Sequence, residues 1–521
     1  MLSNAYDLLI CNFHLKDNKV AVKERGVSYT YNQLISDIDN ISEHLSNYIK
    51  SGMRVGIYLP NSYIYIVLMF ACVRLGCIVV PINWINEKMN VANIINDSDM
   101  NILIAHEKSQ LPNMDFISVK PENYENIIIY NIKNDEGKEL YKCTYDNDTL
   151  IQNDVFLLLY TSGSTGKSKG IIITHYNLIV GTEIVAKYLS ITDKDILLSV
   201  LPFSFDYGLN QVMTAFYSAA TVVILYPYII HEIPKTLINE HITGFAAMPT
   251  IWINLISKTK VSDHQYPDLR YITNTGEAIP EKYLNILPNI FSKTNIYLMY
   301  GLTECFRCTY LDPQYFQSKR GSIGKAIPGC EVYVLNEDNI SCKPNEIGEL
   351  VFRGPTVSKG YVGGESHSEH KVFRQNLFNS FYQENVVFSG DLVFFDNDGF
   401  LFFVGRKDNM IKKHGYRTNA GDIANLILNN VNFLEECCII SERNVETSES
   451  TIIAVIRIKS NLDIRRCTED LLDYSKKHLP LYMKLDDVLA MDSIPKLNSE
   501  KYDINKLKII YKNNLNGERA L

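Results

Sequence analysis

Two hydrophobic periods alternate along this chain. Short continuous apolar runs recur from the N-terminus to about residue 405, separated by stretches in which apolar residues stand three or four apart. Val155-Phe156-Leu157-Leu158-Leu159, Ile171-Ile172-Ile173 and Val222-Val223-Ile224-Leu225 read as buried strands. Leu34, Ile38, Ile41 and Leu45 share one helical face. Strand and helix periods in alternation predict an α/β architecture. Further on, Asp396-Asn397-Asp398-Gly399 lies between Leu392-Val393-Phe394-Phe395 and Phe400-Leu401-Phe402-Phe403, which signals a hairpin. Gly405-Arg406-Lys407-Asp408 follows, then a charged segment, then a smaller α/β pattern. The expected organisation is a large N-terminal α/β domain of several subdomains over residues 1–407 and a small C-terminal α+β domain over 408–521.

Composition narrows the class. At 521 residues the chain is long for one core. Its 46% hydrophobic and 21% charged content is that of an ordinary globular protein and removes disorder as a reading. A net charge of −8 argues against nonspecific nucleic-acid binding, yet leaves room for a small anion in one local positive pocket. The greasiest run, Tyr63 to Pro81, is broken by Arg74 and too short on either side to span a bilayer, so no membrane insertion is expected. The N-terminal segment lacks a basic start and a long apolar stretch, and no secretory signal is expected. Eleven cysteines are scattered without a disulfide-like framework, and Cys305-x-x-Cys308 has no second pair to complete a zinc site. A reducing, cytoplasmic setting is the expectation.

The richest chemistry follows the run Val155 to Leu159. Tyr160-Thr161-Ser162-Gly163-Ser164-Thr165-Gly166-Lys167-Ser168-Lys169-Gly170 combines glycines, hydroxyls and lysines directly after an apolar run. Such a turn lets backbone N–H groups converge on phosphate oxygens while hydroxyls and ammonium groups add donors. It is not a Walker loop, which would need glycine where this chain has Thr161.

The segment resembles the phosphate loop of the AMP-forming adenylating enzymes, a superfamily of acyl-CoA synthetases, nonribosomal peptide adenylation domains and luciferases. Their usual proline is Ser168 here. The resemblance continues in order through most of the chain. It takes in Val27-Ser28-Tyr29-Thr30-Tyr31 with Leu34, and Pro202-Phe203-Ser204-Phe205-Asp206-Tyr207-Gly208. Thr275-Gly276-Glu277-Ala278, Tyr300-Gly301-Leu302-Thr303-Glu304 and Gly348-Glu349-Leu350 with Arg353-Gly354 come next. Ser389-Gly390-Asp391, Gly405-Arg406-Lys407-Asp408, Ile411-Lys412-Lys413-His414-Gly415-Tyr416-Arg417 and a late Lys501 complete it. Each motif alone is weak; their common order carries the inference.

The resemblance implies ATP and Mg2+ as cofactors and two half-reactions. A carboxylate and ATP give an acyl-adenylate and pyrophosphate; a phosphopantetheine thiol, of CoA or of a carrier protein acting in trans, then takes the acyl group. Thr161, Ser162, Gly163, Ser164, Thr165, Gly166 and Lys167 are the implied phosphate cradle. Tyr300 is expected to stack on adenine, with Gly276, Glu277 and Ala278 at its edge and Gly301 and Thr303 beside it. Glu304 suits Mg2+ as a hard oxygen ligand. Asp391, acceptor-only when ionised, suits the ribose hydroxyls, and Arg406 adds a planar fork near ribose or phosphate. Lys501 is the implied catalytic cation, with Glu304 and Thr161 acting beside it. A fixed charge of this kind is typically worth ~3–4 kcal/mol, or ~10²–10³ in rate. Taken alone, Asp391 reads as a turn residue and Lys501 as a solvated lysine. Ser499-Glu500 replaces the usual Asn-Gly before that lysine. Asp408 is the implied hinge of a mobile small domain, and the segment around Gly415 the implied thiol tunnel. Thr418-Asn419-Ala420-Gly421-Asp422 departs from the family pattern and bears on the thioester step.

The acid end gives mixed signals. By resemblance, Asp206 stands where amino-acid-activating members hold the substrate ammonium; by itself it also reads as a cap of the following helix. Val80-Pro81-Ile82-Asn83 looks more like acyl-CoA synthetases. The implied substrate residues are Asp206, Tyr207, Asn210, Thr273, Thr275, Met299, Arg307 and Cys308, with Met299 expected to shorten the pocket. Arg307 has two readings: it pairs a second polar group of the substrate, or it bridges to Asp206 and leaves no ammonium site. The expected activity is loading of a small amino acid onto a carrier protein, with a small-acid acyl-CoA synthetase as the alternative. A luciferase-like oxygenase and a catalytically silent binding protein stand further off.

Overall fold

The structure, a computed structural model, describes residues 2–11, 18–86, 88–107, 109, 111, 116–119, 127–132, 150–162, 168–363, 372–375, 384–407, 411–413, 416–418, 420–443, 450–459, 462–497 and 501–515. A large N-terminal domain carries two mixed sheets. In one, Arg54–Tyr58 pairs in parallel with both Ile78–Pro81 and Ile102–His106, the geometry of strands joined by helical crossovers. Val155–Ser162 extends this sheet beside Ile78–Pro81 and pairs antiparallel with Ser168–Thr174. The second sheet has parallel central strands, Tyr271–Asn274, Gly244–Ala247, Ile196–Ser199 and Thr221–Ile224. It turns antiparallel through Asn295–Tyr300, Thr309–Leu311 and Ser322–Ala326, and reaches the hairpin of Asn385–Phe395 with Leu401–Arg406.

The hydrophobic pattern maps onto these elements. Leu34, Ile38, Ile41 and Leu45 are all buried on the helix Tyr31–Leu45. Phe156 to Tyr160 are buried in their strand, and Ile171 and Ile173 face the same core. The Asp396 carboxylate accepts the N–H groups of Asp398 and Phe400, and Gly399 takes φ +78°, so the expected hairpin turn is in place. The greasy run is an interior helix, Tyr63–Arg74, buried on nearly every side. Among the described residues no helix is long and apolar enough to cross a membrane.

A smaller C-terminal domain is built on Leu434–Arg443, Ser450–Ile458 and Asp487–Ala490. Its helices Ala420–Asn430 and Ile464–His478 cover a core of Ile423, Ile427, Leu434, Ile452 and Leu471. Ile494, Leu507, Ile440 and Ile453 form a second apolar cluster under the helix Ile504–Leu515. Among the described residues these clusters contain no side chain of the large domain. The domains meet through polar contacts: the Tyr283 hydroxyl donates to the Glu435 carbonyl at 3.3 Å, and Asn429 Nδ2 to Glu281 at 3.2 Å. The expected boundary residue Asp408 lies outside the described residues.

The first helix, Ala5–Ile10, is tied down by a histidine. The Ala5 N–H donates to Nδ1 of buried His175 at 3.0 Å, so that nitrogen must be unprotonated. Burial pushes the imidazole down to about 4, against the opposing pull of Asp154. The unfolded ring takes up a proton near its ordinary value while the folded one does not. The contribution of His175 is therefore fully present above pH ~6.5 and lost as pH falls toward 4, a swing of about 3 kcal/mol. Urea unfolding at a series of pH values between 7.5 and 4.5 should show this loss, and His175→Gln should remove that part of the slope.

Candidate active site

A cavity of about 740 Å³ opens between the two domains. Strand ends and helix starts supply its walls. Thr161 comes from the end of Val155–Ser162, and Thr275 and Gly276 follow Tyr271–Asn274. Gly301, Thr303 and Glu304 follow Asn295–Tyr300, and Arg406 ends Leu401–Arg406. From the small domain, Lys501 and Leu497 close the space. Residues 340 positions apart in sequence, Thr161 and Lys501, thus face one volume. Residues 163–167 and 498–500, with Asp408 and Gly415, lie outside the described residues.

Glu304 is held from behind. Tyr361 donates its hydroxyl to Glu304 Oε1 at 2.7 Å, and the Glu304 carbonyl accepts the Ser358 N–H at 2.9 Å. At the far side, three motifs seen separately in the sequence form one assembly. Glu349 accepts the Gly390 N–H at 3.1 Å and pairs with Lys407 at 2.9 Å. Ser389 donates to the Leu350 carbonyl at 2.6 Å and accepts the Asp391 N–H at 3.0 Å. Asp391 pairs with Arg406 at 2.9 Å and accepts the Tyr300 hydroxyl at 2.6 Å. Burial lifts the Asp391 carboxyl above its ordinary range, against the pull of Arg406 and the Tyr300 hydrogen bond. Arg406 lines the cavity, whereas Asp391 and Tyr300 stand one layer behind it. Glu277 and Ala278 are exposed, and the Glu277 carbonyl accepts from Asn274 Nδ2 at 3.0 Å.

Residues 13–362 match the AMP-binding enzyme family. The chain belongs to that family. It is 23% identical to a 4-coumarate–CoA ligase-like protein of Arabidopsis thaliana, over 99% of this chain and 91% of that one. It is 24% identical to a D-alanine–D-alanyl carrier protein ligase of Bacillus cytotoxicus, over 93% and 94% of the two chains. The fold is shared with the o-succinylbenzoate coenzyme A synthetase of Bacillus subtilis solved with ATP and magnesium. There the TM-score is 0.78 at 22% identity, covering 96% of this chain and 99% of that one. By class this AMP-binding enzyme is an AMP-forming acid–thiol ligase.

In this AMP-binding enzyme the acid end of the cavity holds a paired charge. Arg307 Nη1 lies 3.0 Å from Asp206 Oδ2, and its guanidinium sits 4.9 Å over the Tyr207 ring. Asp206 is not a helix cap: the N-cap is Phe205, without a side-chain cap bond, and Asp206 is the first helical residue. Its charge still suits the positive helix end. Of the other expected pocket residues, Tyr207, Thr275 and Arg307 line the cavity and four do not. Thr273 is engaged by the Tyr207 hydroxyl at 2.5 Å, and the Cys308 sulfur lies 2.7 Å from that of Cys305. Met299 does not shorten the cavity, because its sulfur accepts the Tyr188 hydroxyl at 3.0 Å inside the core. Asn210 is buried a turn beyond Asp206.

Sequence reasoning missed an apolar wall. Trp84, Ile85, Tyr226, Tyr228 and Ile230 also line the cavity, and Trp84 Nε1 donates to the Tyr226 hydroxyl at 3.2 Å. The only hint was that Trp84 directly follows the Pro81-Ile82-Asn83 segment already tied to acyl-CoA synthetases.

Gly208 is required by packing. A Cβ there would lie 2.1 Å from the Pro202 carbonyl oxygen, a backbone atom that cannot swing away. Tight packing of the Asp206–Tyr217 helix start on Pro202 thus excludes a larger side chain at this place. Gly208→Ser should cost about 1–3 kcal/mol of stability by overpacking, read by denaturant unfolding.

Proposed function

We propose that this enzyme adenylates a small carboxylic acid carrying a polar acyl group and passes it to a phosphopantetheine thiol. The Arg307–Asp206 pair carries this reading. Arg307 is 2% exposed at its side chain and already compensates Asp206, so Asp206 is not an uncancelled charge that demands an ammonium. Its Nε and Nη2 are buried with no partner among the described residues, which favours a substrate bearing a hydrogen-bond acceptor over a plain alkyl acid. Amino-acid activation is the second reading. It is favoured by the 18% of the Asp206 side chain left exposed and by the likeness to a carrier protein ligase. CoA and a carrier protein are both open as acceptor, as the two relatives differ in this respect.

Lys501 and Arg406 bring positive charge to the cavity where the attacking carboxylate and the α-phosphate would meet. Their charge opposes the negative charge that builds there in the transition state. Glu304 fits Mg2+, which takes one or two carboxylates plus substrate phosphates. Bound there, the ion would shield the phosphate charges, while Tyr361 holds Glu304 in place. Thr161 stands at the mouth of the phosphate segment and offers its hydroxyl to the same phosphates. Rotation of the small domain about Asp408, bringing the segment around Gly415 to the adenylate, completes the proposed cycle.

ATP–pyrophosphate exchange across propionate, 3-hydroxypropionate, butyrate, 3-hydroxybutyrate, glycine and D- and L-alanine tests the acid. The hydroxy acids should exceed their alkyl homologues by about tenfold or more, and Arg307→Met should erase that preference. Exchange with alanine that vanishes for propionate and the hydroxy acids would instead make Asp206 an ammonium partner. Lys501→Ala should lower exchange by ~10²–10³ while sparing thiol transfer from pre-made acyl-adenylate. Equal loss of both half-reactions would remove Lys501 from the adenylation step.

A further inference from the structure

A lysine reaching across from another domain needs its loop held still. The two arms of the Lys501 loop are joined by main-chain bonds: the Leu497 N–H donates to the Lys501 carbonyl at 2.7 Å, and Asp503 N–H to the Pro495 carbonyl at 3.0 Å. Lys496 and Tyr502 form the bridge between the arms. Both of these residues end on one carboxylate. Glu436 Oε2 lies 3.0 Å from Lys496 Nζ and accepts the Tyr502 hydroxyl at 3.1 Å.

We propose that Glu436 is the positioning residue of the Lys501 loop, an inference that rests on the adenylation role proposed for Lys501. Glu436 belongs to the strand Leu434–Arg443 and is 6% exposed. Its other oxygen is fixed by Arg457, opposite it on the neighbouring strand, with Nε at 2.8 Å and Nη2 at 2.6 Å. Arg457 therefore sets the rotation of the carboxylate and leaves Oε2 turned to the loop. Lys496 and Arg457 also hold the Glu436 carboxyl below its ordinary range despite burial. One residue earlier, the Glu435 carbonyl receives the Tyr283 hydroxyl of the large domain. The strand that carries the anchor of the lysine loop is thus tied to the large domain one residue away. A buried carboxylate with partners in both arms of one loop has little to do except fix that loop.

A double-mutant cycle tests this. Exchange is measured for the wild type, Glu436→Gln, Lys501→Ala and the double variant, using whichever of the seven acids named above exchanges fastest. Glu436→Gln should lose about 10–100-fold with KM for ATP within about threefold, and add less than about twofold once Lys501 is alanine. Glu436→Asp should recover part of the loss. In hydrogen exchange, the Leu497 and Asp503 amides should open faster in Glu436→Gln while those of Ile453 and Val455 in the core stay unchanged. Additive losses in the double variant, exchange by Glu436→Gln within twofold of the wild type, or equal opening of core and loop would each overturn the inference. If Glu436→Gln does not fold, Tyr502→Phe, which removes one loop contact and keeps the buried charges, enters the cycle under the same criteria. A Lys501→Ala variant with near-wild-type exchange would instead defeat the adenylation role of Lys501 itself, a result separable from failure of Glu436 alone.

Discussion

The site depends on a charge delivered across a domain boundary. The large and small domains have separate apolar cores, and polar contacts such as Tyr283 to Glu435 join them. Such a junction can be rearranged without exposing a hydrophobic core, which the proposed rotation of the small domain would need. The same property makes the position of Lys501 expensive to define. An ammonium on a four-carbon stem has about 2 kcal/mol of rotamer freedom to lose, and in the proposed role it would act only where the transition-state charge appears. Its loop is accordingly short-circuited by main-chain bonds and gripped at both arms.

The acid end follows the opposite logic. Asp206 and Arg307 neutralise one another inside the large domain, on elements 101 residues apart in sequence. A buried pair of this kind is rarely a net source of stability; removing either partner alone strands a charge. In the proposed reading its use is selectivity, since a substrate must match a fixed dipole rather than a lone charge. Trp84, Tyr226 and Tyr228 of the same cavity are aromatic and supply contact area with polar tips.

The sequence revealed what local periodicity and motif order can carry. The helix Tyr31–Leu45, the strand Val155–Ser162 and the hairpin turn at Asp396 each follow from residues within a few positions of one another. Thr161, Glu304, Arg406 and Lys501 were legible because each sits in a short motif, and they do line one cavity. The two readings of Arg307 stayed open because choosing between them needs a contact across 101 residues. Met299 and Thr273 were expected at the cavity and do not line it, for the same reason: Tyr188 and Tyr207 engage them from other elements. Tyr361 behind Glu304 and Glu436 behind Lys501 left no local trace, since each acts through a residue distant in the chain.

On the side of Arg406 the cavity lining is braced by paired strands. Asp391 and Arg406 are directly opposite one another on adjacent strands, and Arg406 is the last residue of the strand leading out of the large domain. Glu349 pins the next residue, Lys407, and the turn at Gly390. Asp391 and Glu349 thus hold two successive residues of the chain, the cation lining the cavity and the lysine after it. In the proposed reading, a ligand that engages Arg406 would draw on its pairing with Asp391 and on the strand that carries it.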